Sequence, residues 1–134
     1  MLIINVYSKG SYPADALSNF APHSFCFEGG EFKCMESFLQ SLKFKDIYEQ
    51  RQIWSLSGKE AKSMGSEQEW HRFLYWNGKP IDRFSKQYIQ LVESAYQNMF
   101  DQNSDYREAL QATKGHLLLH TIGKLRRSNT VVLL

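Results

Sequence analysis

The chain has 134 residues, enough for one domain with a sizeable buried core, and its 43% hydrophobic content excludes a disordered polymer. Sixteen Lys and Arg stand against fourteen Asp and Glu, and a net charge of +2 is not the concentrated basic surface of a duplex-DNA binder. Two cysteines without a CxxC pair, a start that does not read as a signal peptide and no long apolar run predict a reduced, cytoplasmic protein with no membrane span.

In chain order, LIINVYS at the start is rich in β-branched residues and reads as a strand. KGSYPADALSNFAPH, residues 9–23, has the Gly, Pro, Asp and Asn chemistry of a loop. SFCFEGGEFK alternates, with Phe25 and Phe27 on one face, and Gly29-Gly30 is placed to turn it back as a hairpin. From Met35 the apolar positions Met35, Phe38, Leu39 and Leu42 take helical spacing. Ser57 to Glu60 matches a capping box for a helix ending at Gly65, and Ser66 to Glu69 repeats the signal for a second short helix. Trp76 to Arg83 reads as a turn around Asn77-Gly78 and Pro80. Phe84, Tyr88, Leu91, Val92, Ala95 and Met99 then share one helix face, a further helix follows Asn103-Ser104, and TVVLL closes the chain with strand character. The order predicts an α+β fold: a helix-rich single domain with a small N-terminal antiparallel β element. There is no GxGxxG, no P-loop and no zinc-ligand spacing, so neither cofactor nor metal is expected. The local basic cluster Lys124, Arg126 and Arg127 reads first as a solvated segment and second as a phosphate contact.

The informative stretch is CMESFLQSLKF, Cys34 to Phe44. At about 100° per residue, Glu36, Gln40 and Lys43 share one narrow stripe at the edge of the apolar face, with Ser37, Ser41 and Lys45 on the solvent side. A carboxylate at such an edge is partly desolvated, which suits proton transfer. The plain alternative is a helix-surface network worth a few tenths of a kcal/mol.

LSNF at Leu17–Phe20 followed by E-x-x-x-Q-x-x-K-F at Glu36–Phe44 resembles the NADAR, or YbiA-like, family. LSGKEAKSMG at Leu56–Gly65, LYWNGKPIDR at Leu74–Arg83, Ala95-Tyr96 and LLHTIGK at Leu118–Lys124 are similar to one branch of it, and the resemblance runs from about Ile4 to Thr130. It implies a YbiA-like fold, a single NADAR-like domain over residues 1–134 and hydrolysis of a ribosyl C1′–N bond. The substrate implied is nucleotide-like: a phosphoribosylamino-pyrimidine intermediate of riboflavin synthesis, or ADP-ribose on guanine, including ADP-ribosylated nucleic acid. The family's Glu and Lys fall on Glu36 and Lys43, its Asn-Phe pair on Asn19 and Phe20, and its Trp on Trp76. Riboflavin-type members carry a Gly-rich segment with Asp, Trp and Asn near the C-terminus and related members continue into a further helix; here the chain reads HTIGKLRRSNTVVLL. That departure keeps open a module that holds ADP-ribose or NAD without cleaving it.

Within this reading Glu36 is the acid, base or electrostatic stabiliser. Lys43 either anchors a phosphate, the preferred role, or attacks C1′ of an opened ribose as a Schiff-base amine. Gln40 would fix a substrate hydroxyl. Asn19 bonds ribose or a base edge, or makes an Asx-turn; Phe20 stacks on a base or packs in the core; Trp76 stacks from a polar turn. Arg83 binds phosphate or pairs with a carboxylate, and His120 is a substrate contact or a structural histidine. Cys34, just before the helix, has no His or Asp at a spacing that would make it a nucleophile.

Overall fold

The computed structural model describes residues 3–6, 8–120 and 130–133. Among these, six helices pack with three small sheets in an α+β arrangement. The strands are β1 (Ile3–Asn5), β2 (Phe25–Phe27), β3 (Gly30–Phe32), β4 (Phe73–Trp76), β5 (Lys79–Asp82), β6 (Leu117–His120) and β7 (Thr130–Leu133). The helices are α1 (Ala14–Leu17), α2 (Met35–Ser41), α3 (Ile47–Trp54), α4 (Gly58–Gly65), α5 (Lys86–Gln102) and α6 (Ser104–Ala112). The N-terminal antiparallel element is the β2–β3 hairpin. β1 does not join it, but runs parallel to β6, which pairs antiparallel with β7. No described helix is long and apolar enough to cross a membrane.

Both tight hairpins turn through two residues with positive φ. Glu28 (φ 46°) and Gly29 (φ 81°) link β2 to β3, so the turn sits one residue earlier than Gly29-Gly30, and Gly30 belongs to the strand. Asn77 (φ 52°) and Gly78 (φ 80°) link β4 to β5. Positive φ at both central residues matches the twist of the flanking strands, the reason Asn-Gly marks hairpins. The expected Trp76–Arg83 turn is therefore the tip of a hairpin whose strands extend back to Phe73 and forward to Asp82.

Capping sets the helix starts. Ser57 accepts from Glu60 N–H while the Glu60 carboxylate accepts from Ser57 N–H, as expected. Asp46 accepts from the N–H groups of Tyr48 and Glu49. Ser85 accepts from Tyr88 N–H, so α5 starts at Lys86 and Phe84 lies outside it, 71% exposed, rather than on its buried face. Ser66 to Glu69 form no helix, because the chain leaves α4 in turns that lead into β4.

The core is aromatic at its centre. Phe27, Phe32, Phe38, Trp54 and Trp76 pack with ring centroids 4.7 to 6.2 Å apart. α2 runs through the middle, packed on α3, α4 and α5. Ser37 and Ser41, expected on its solvent side, are fully buried. Their hydroxyls donate to the carbonyls of Cys34 and Phe38, and Ser41 also accepts from the Trp54 indole. Satisfied hydroxyls cost little to bury and let neighbouring elements approach closely. Buried Gln50 ties α2 to the β4–β5 hairpin: its amide nitrogen donates to the carbonyls of Ser41 and Tyr75, and its oxygen accepts from Asn77 N–H.

Candidate active site

With its serine side enclosed, α2 leaves one strip partly open, formed by Glu36, Leu39 and, just past its end, Lys43. Gln40 is buried beside this strip, and its Nε2 donates to Glu36 Oε1 at 2.9 Å. That bond fixes the carboxylate's orientation and leaves Oε2 without a protein donor among the described residues. Among the described residues no ion pair engages Glu36, and the salt bridge is Arg72–Asp82, at 2.9 Å.

The loop after α1 docks on the start of α2. Asn19 C=O accepts from Glu36 N–H at 2.9 Å, satisfying one of the donors a helix N-terminus leaves unpaired. The Asn19 side-chain oxygen accepts from Tyr96 O–H at 2.7 Å. Its amide nitrogen then has no described protein partner and remains a donor beside Glu36. Tyr96 is a reliable donor: burial above all, helped by Tyr106 and the Glu36 charge, pushes its phenol far above the ordinary tyrosine range. Phe20 packs over the start of α4 at Gly58, with the Lys62 ammonium 5.6 Å from its ring centroid.

Lys43 is held from the other side. Its ammonium donates to Gly65 C=O at 3.0 Å and lies 4.2 Å from the centroid of the Trp70 ring. Desolvation lowers its pKa from the ordinary lysine value, Glu36 opposes that shift, and the charge of Lys62 adds to it. Arg83 donates to Trp70 C=O at 2.9 Å and, with Leu39, Trp70 and Tyr88, lines a cleft of about 320 Å³. One oriented carboxylate with a free oxygen thus shares the strip with Lys43, while the Lys62 charge acts on Lys43 and Arg83 lies at the cleft beside Trp70. This arrangement favours an anionic ligand and a reaction that develops positive charge near Glu36. No described group of three or more His, Cys, Asp and Glu is placed to hold a metal ion.

A family model described as "Bacteriophage protein GP30.3" matches residues 11–134. The chain belongs to this family. It is 36% identical over 133 residues, covering 96% of this chain and 88% of the relative, to an uncharacterized 17.1 kDa protein in the Gp30–rIII intergenic region of enterobacteria phage T4. Its fold is similar to the NMR structure of Escherichia coli YbiA, with a TM-score of 0.63 and 24% identity over 89% of this chain. The chain spans 66% of YbiA, just under two thirds. The YbiA-like α+β fold expected from the sequence is the fold observed.

In this GP30.3-family chain the fold gathers Asn19, Phe20, Glu36, Gln40, Lys43 and Arg83 around the open strip of α2. Gln40 is buried and its Nε2 donates to Glu36, so it orients the carboxylate, while its Oε1 is buried with no hydrogen-bond partner among the described residues. Trp76 is a core residue rather than a stacking residue in a polar turn. It is 8% exposed among Phe27, Phe38 and Trp54, with its indole N–H bonded to Glu28. Arg83 leaves the neighbouring Asp82 to Arg72. His120 ends β6 opposite Thr130; its side chain lies outside the described structure, as does the Lys124, Arg126 and Arg127 cluster. Tyr96, Lys62 and Trp70 are the contributors that sequence reasoning missed. Ala95-Tyr96 stood out only as part of the resemblance, and Trp70 lay next to the segment read as a helix.

Proposed function

We propose that this protein is an N-glycosidase that hydrolyses the C1′–N bond of a nucleotide-like ribosyl substrate, either ADP-ribose on guanine or a phosphoribosylamino-pyrimidine. The observation that carries the reading is Glu36: a carboxylate with one oxygen fixed by Gln40 and the other free, on an open strip flanked by the Asn19 amide and Lys43. As the bond breaks, positive charge grows on C1′ and the ring oxygen, and the electron pair goes to the departing nitrogen. Glu36 stabilises the sugar cation and takes a proton from the attacking water as the water oxygen joins C1′; the departing nitrogen takes a proton from solvent, and Glu36 then returns its own to solvent. The Asn19 amide holds a sugar hydroxyl, and Lys43, with Lys62, holds substrate phosphate as a charge contact.

Incubation with ADP-ribosylated guanosine, ADP-ribosylated DNA and the phosphoribosylamino-pyrimidine, for wild type and Glu36→Gln together, tests this. A ribosyl product from at least one substrate, lost in the variant, is expected. Folded protein that turns over none of them overturns the reading. Saturable calorimetric binding of ADP-ribose without product would identify the nucleotide-holding module instead.

A further inference from the structure

We propose that the cleft between Leu39, Trp70, Arg83 and Tyr88 is a subsite for a planar nitrogenous base, with Trp70 as its stacking wall and Arg83 and Tyr88 as donors to the base edge. This rests on the glycosidase reading and assigns the side of the site that takes the leaving group. Of the three tryptophans, Trp76 is buried and Trp54 is half-buried against the core, whereas Trp70 is 42% exposed. A partly exposed indole leaves ring surface open to a ligand and forms the kind of sequence-tolerant platform on which bases stack. Its position is nevertheless set. Arg83 holds its carbonyl at 2.9 Å, and the Lys43 ammonium lies 4.2 Å from its ring centroid. The ring is therefore coupled to the strip that carries Glu36, and Leu39, which also lines the cleft, lies between Glu36 and Lys43 on that strip.

The lining chemistry selects the ligand. Trp70 and Leu39 are apolar surfaces, Arg83 has guanidinium N–H groups beyond the one given to Trp70, and the Tyr88 hydroxyl has no described protein partner. Among the described residues no carboxylate lines the cleft. Two donors beside flat apolar walls fit a ring that presents carbonyl or imine acceptors, the edge to which arginine pairs in base recognition. A volume of about 320 Å³ suits one base, leaving the sugar and phosphate to the strip outside.

Tryptophan fluorescence and calorimetry with guanosine 5′-monophosphate and ribose 5-phosphate test the proposal, in a Glu36→Gln background so that no bond is broken. The nucleotide should quench emission and ribose 5-phosphate should not. Trp70→Ala should lose the quench and bind the nucleotide roughly 5- to 150-fold more weakly, the usual loss for one stacked base, while Trp70→Phe keeps most of the affinity. Equal quenching by ribose 5-phosphate, or unchanged nucleotide affinity in a folded Trp70→Ala protein, overturns the proposal. The two readings separate: nucleotide stacking on Trp70 without turnover of any N-ribosyl substrate removes the glycosidase and keeps the base subsite. Turnover with a silent Trp70→Ala removes the subsite alone.

Discussion

Gln40 and Gly65 pack so closely that a methyl group added to Gly65 would stand 1.9 Å from Gln40 Oε1 and 2.8 Å from its Cδ. Gly65, expected as a helix stop, is the residue that lets α4 seat against α2, and its carbonyl receives Lys43. Gly65→Ala should gain about 0.8–1 kcal/mol of helix propensity at most, offset by about 1–3 kcal/mol of overpacking. The larger effect should fall on turnover, because Gln40 has to move and release Glu36. A double variant, Gln40→Ala with Gly65→Ala, should recover melting temperature but not activity. Full activity in Gly65→Ala would separate Gln40 from the orientation of Glu36.

Glu36→Gln keeps volume and still accepts from Gln40, but cannot carry charge or take a proton. The rate should fall by about two to four orders of magnitude, with KM little changed. Melting temperature should stay equal or rise slightly, since a partly desolvated carboxylate without an ion pair is costly to keep. A lower melting temperature with unchanged turnover per folded molecule would make Glu36 a structural residue.

Lys43 gives a pH signature. Its folded-state pKa lies below the ordinary 10.5, chiefly through desolvation, so between the two values the unfolded chain binds more protons. Stability from this site therefore rises with pH across that window and is flat below and above it. Lys43→Arg stays charged throughout, so wild-type stability relative to the variant should climb as pH is raised toward 10.5 in denaturant titrations. Of the two Lys43 contacts, the one to the Trp70 ring belongs to the ammonium form, which favours the phosphate-anchoring role. Lys43→Arg should accordingly retain substantial activity, and borohydride should trap no protein–sugar adduct during wild-type turnover. A trapped adduct that disappears in the variant would assign Lys43 to imine chemistry.

Trp76 and Glu28 test the core. Glu28→Ala leaves the buried indole N–H unpaired and should cost about 1 kcal/mol or somewhat more in chemical denaturation. Trp76→Phe should destabilise through lost packing with Phe27, Phe38 and Trp54, while kcat per folded molecule stays within about twofold. A selective rise in KM with unaltered stability would return Trp76 to the substrate.

Tyr96→Phe removes the hydroxyl that fixes the Asn19 amide. It should lower stability by about 1 kcal/mol and weaken substrate binding through a freed Asn19, while Asn19→Asp keeps the acceptor for Tyr96 but loses the exposed donor and should raise KM more than it alters stability.

Local chemistry alone determined the Asn77-Gly78 turn, the Ser57–Glu60 cap, the α2 stripe and the placing of Glu36, Gln40 and Lys43 on one side of it, because turn dihedrals, caps and helical spacing act over a few residues. Helical spacing does not say how many neighbours a helix has. Two hydroxyls that bond their own helix can face solvent or a packed partner equally well, so only the enclosure of α2 by α3 and α4 decided that Ser37 and Ser41 are core and that the Glu36 strip is the open side. The parallel pairing of Ile3 with Leu117 links distant chain segments and left no local signal. Tertiary packing likewise chose between two tryptophans six positions apart: the β4 strand turns Trp76 into the aromatic core, while the turns after α4 leave Trp70 beside Lys43, because a strand directs alternate side chains to opposite faces and a loop is placed by whatever it docks against.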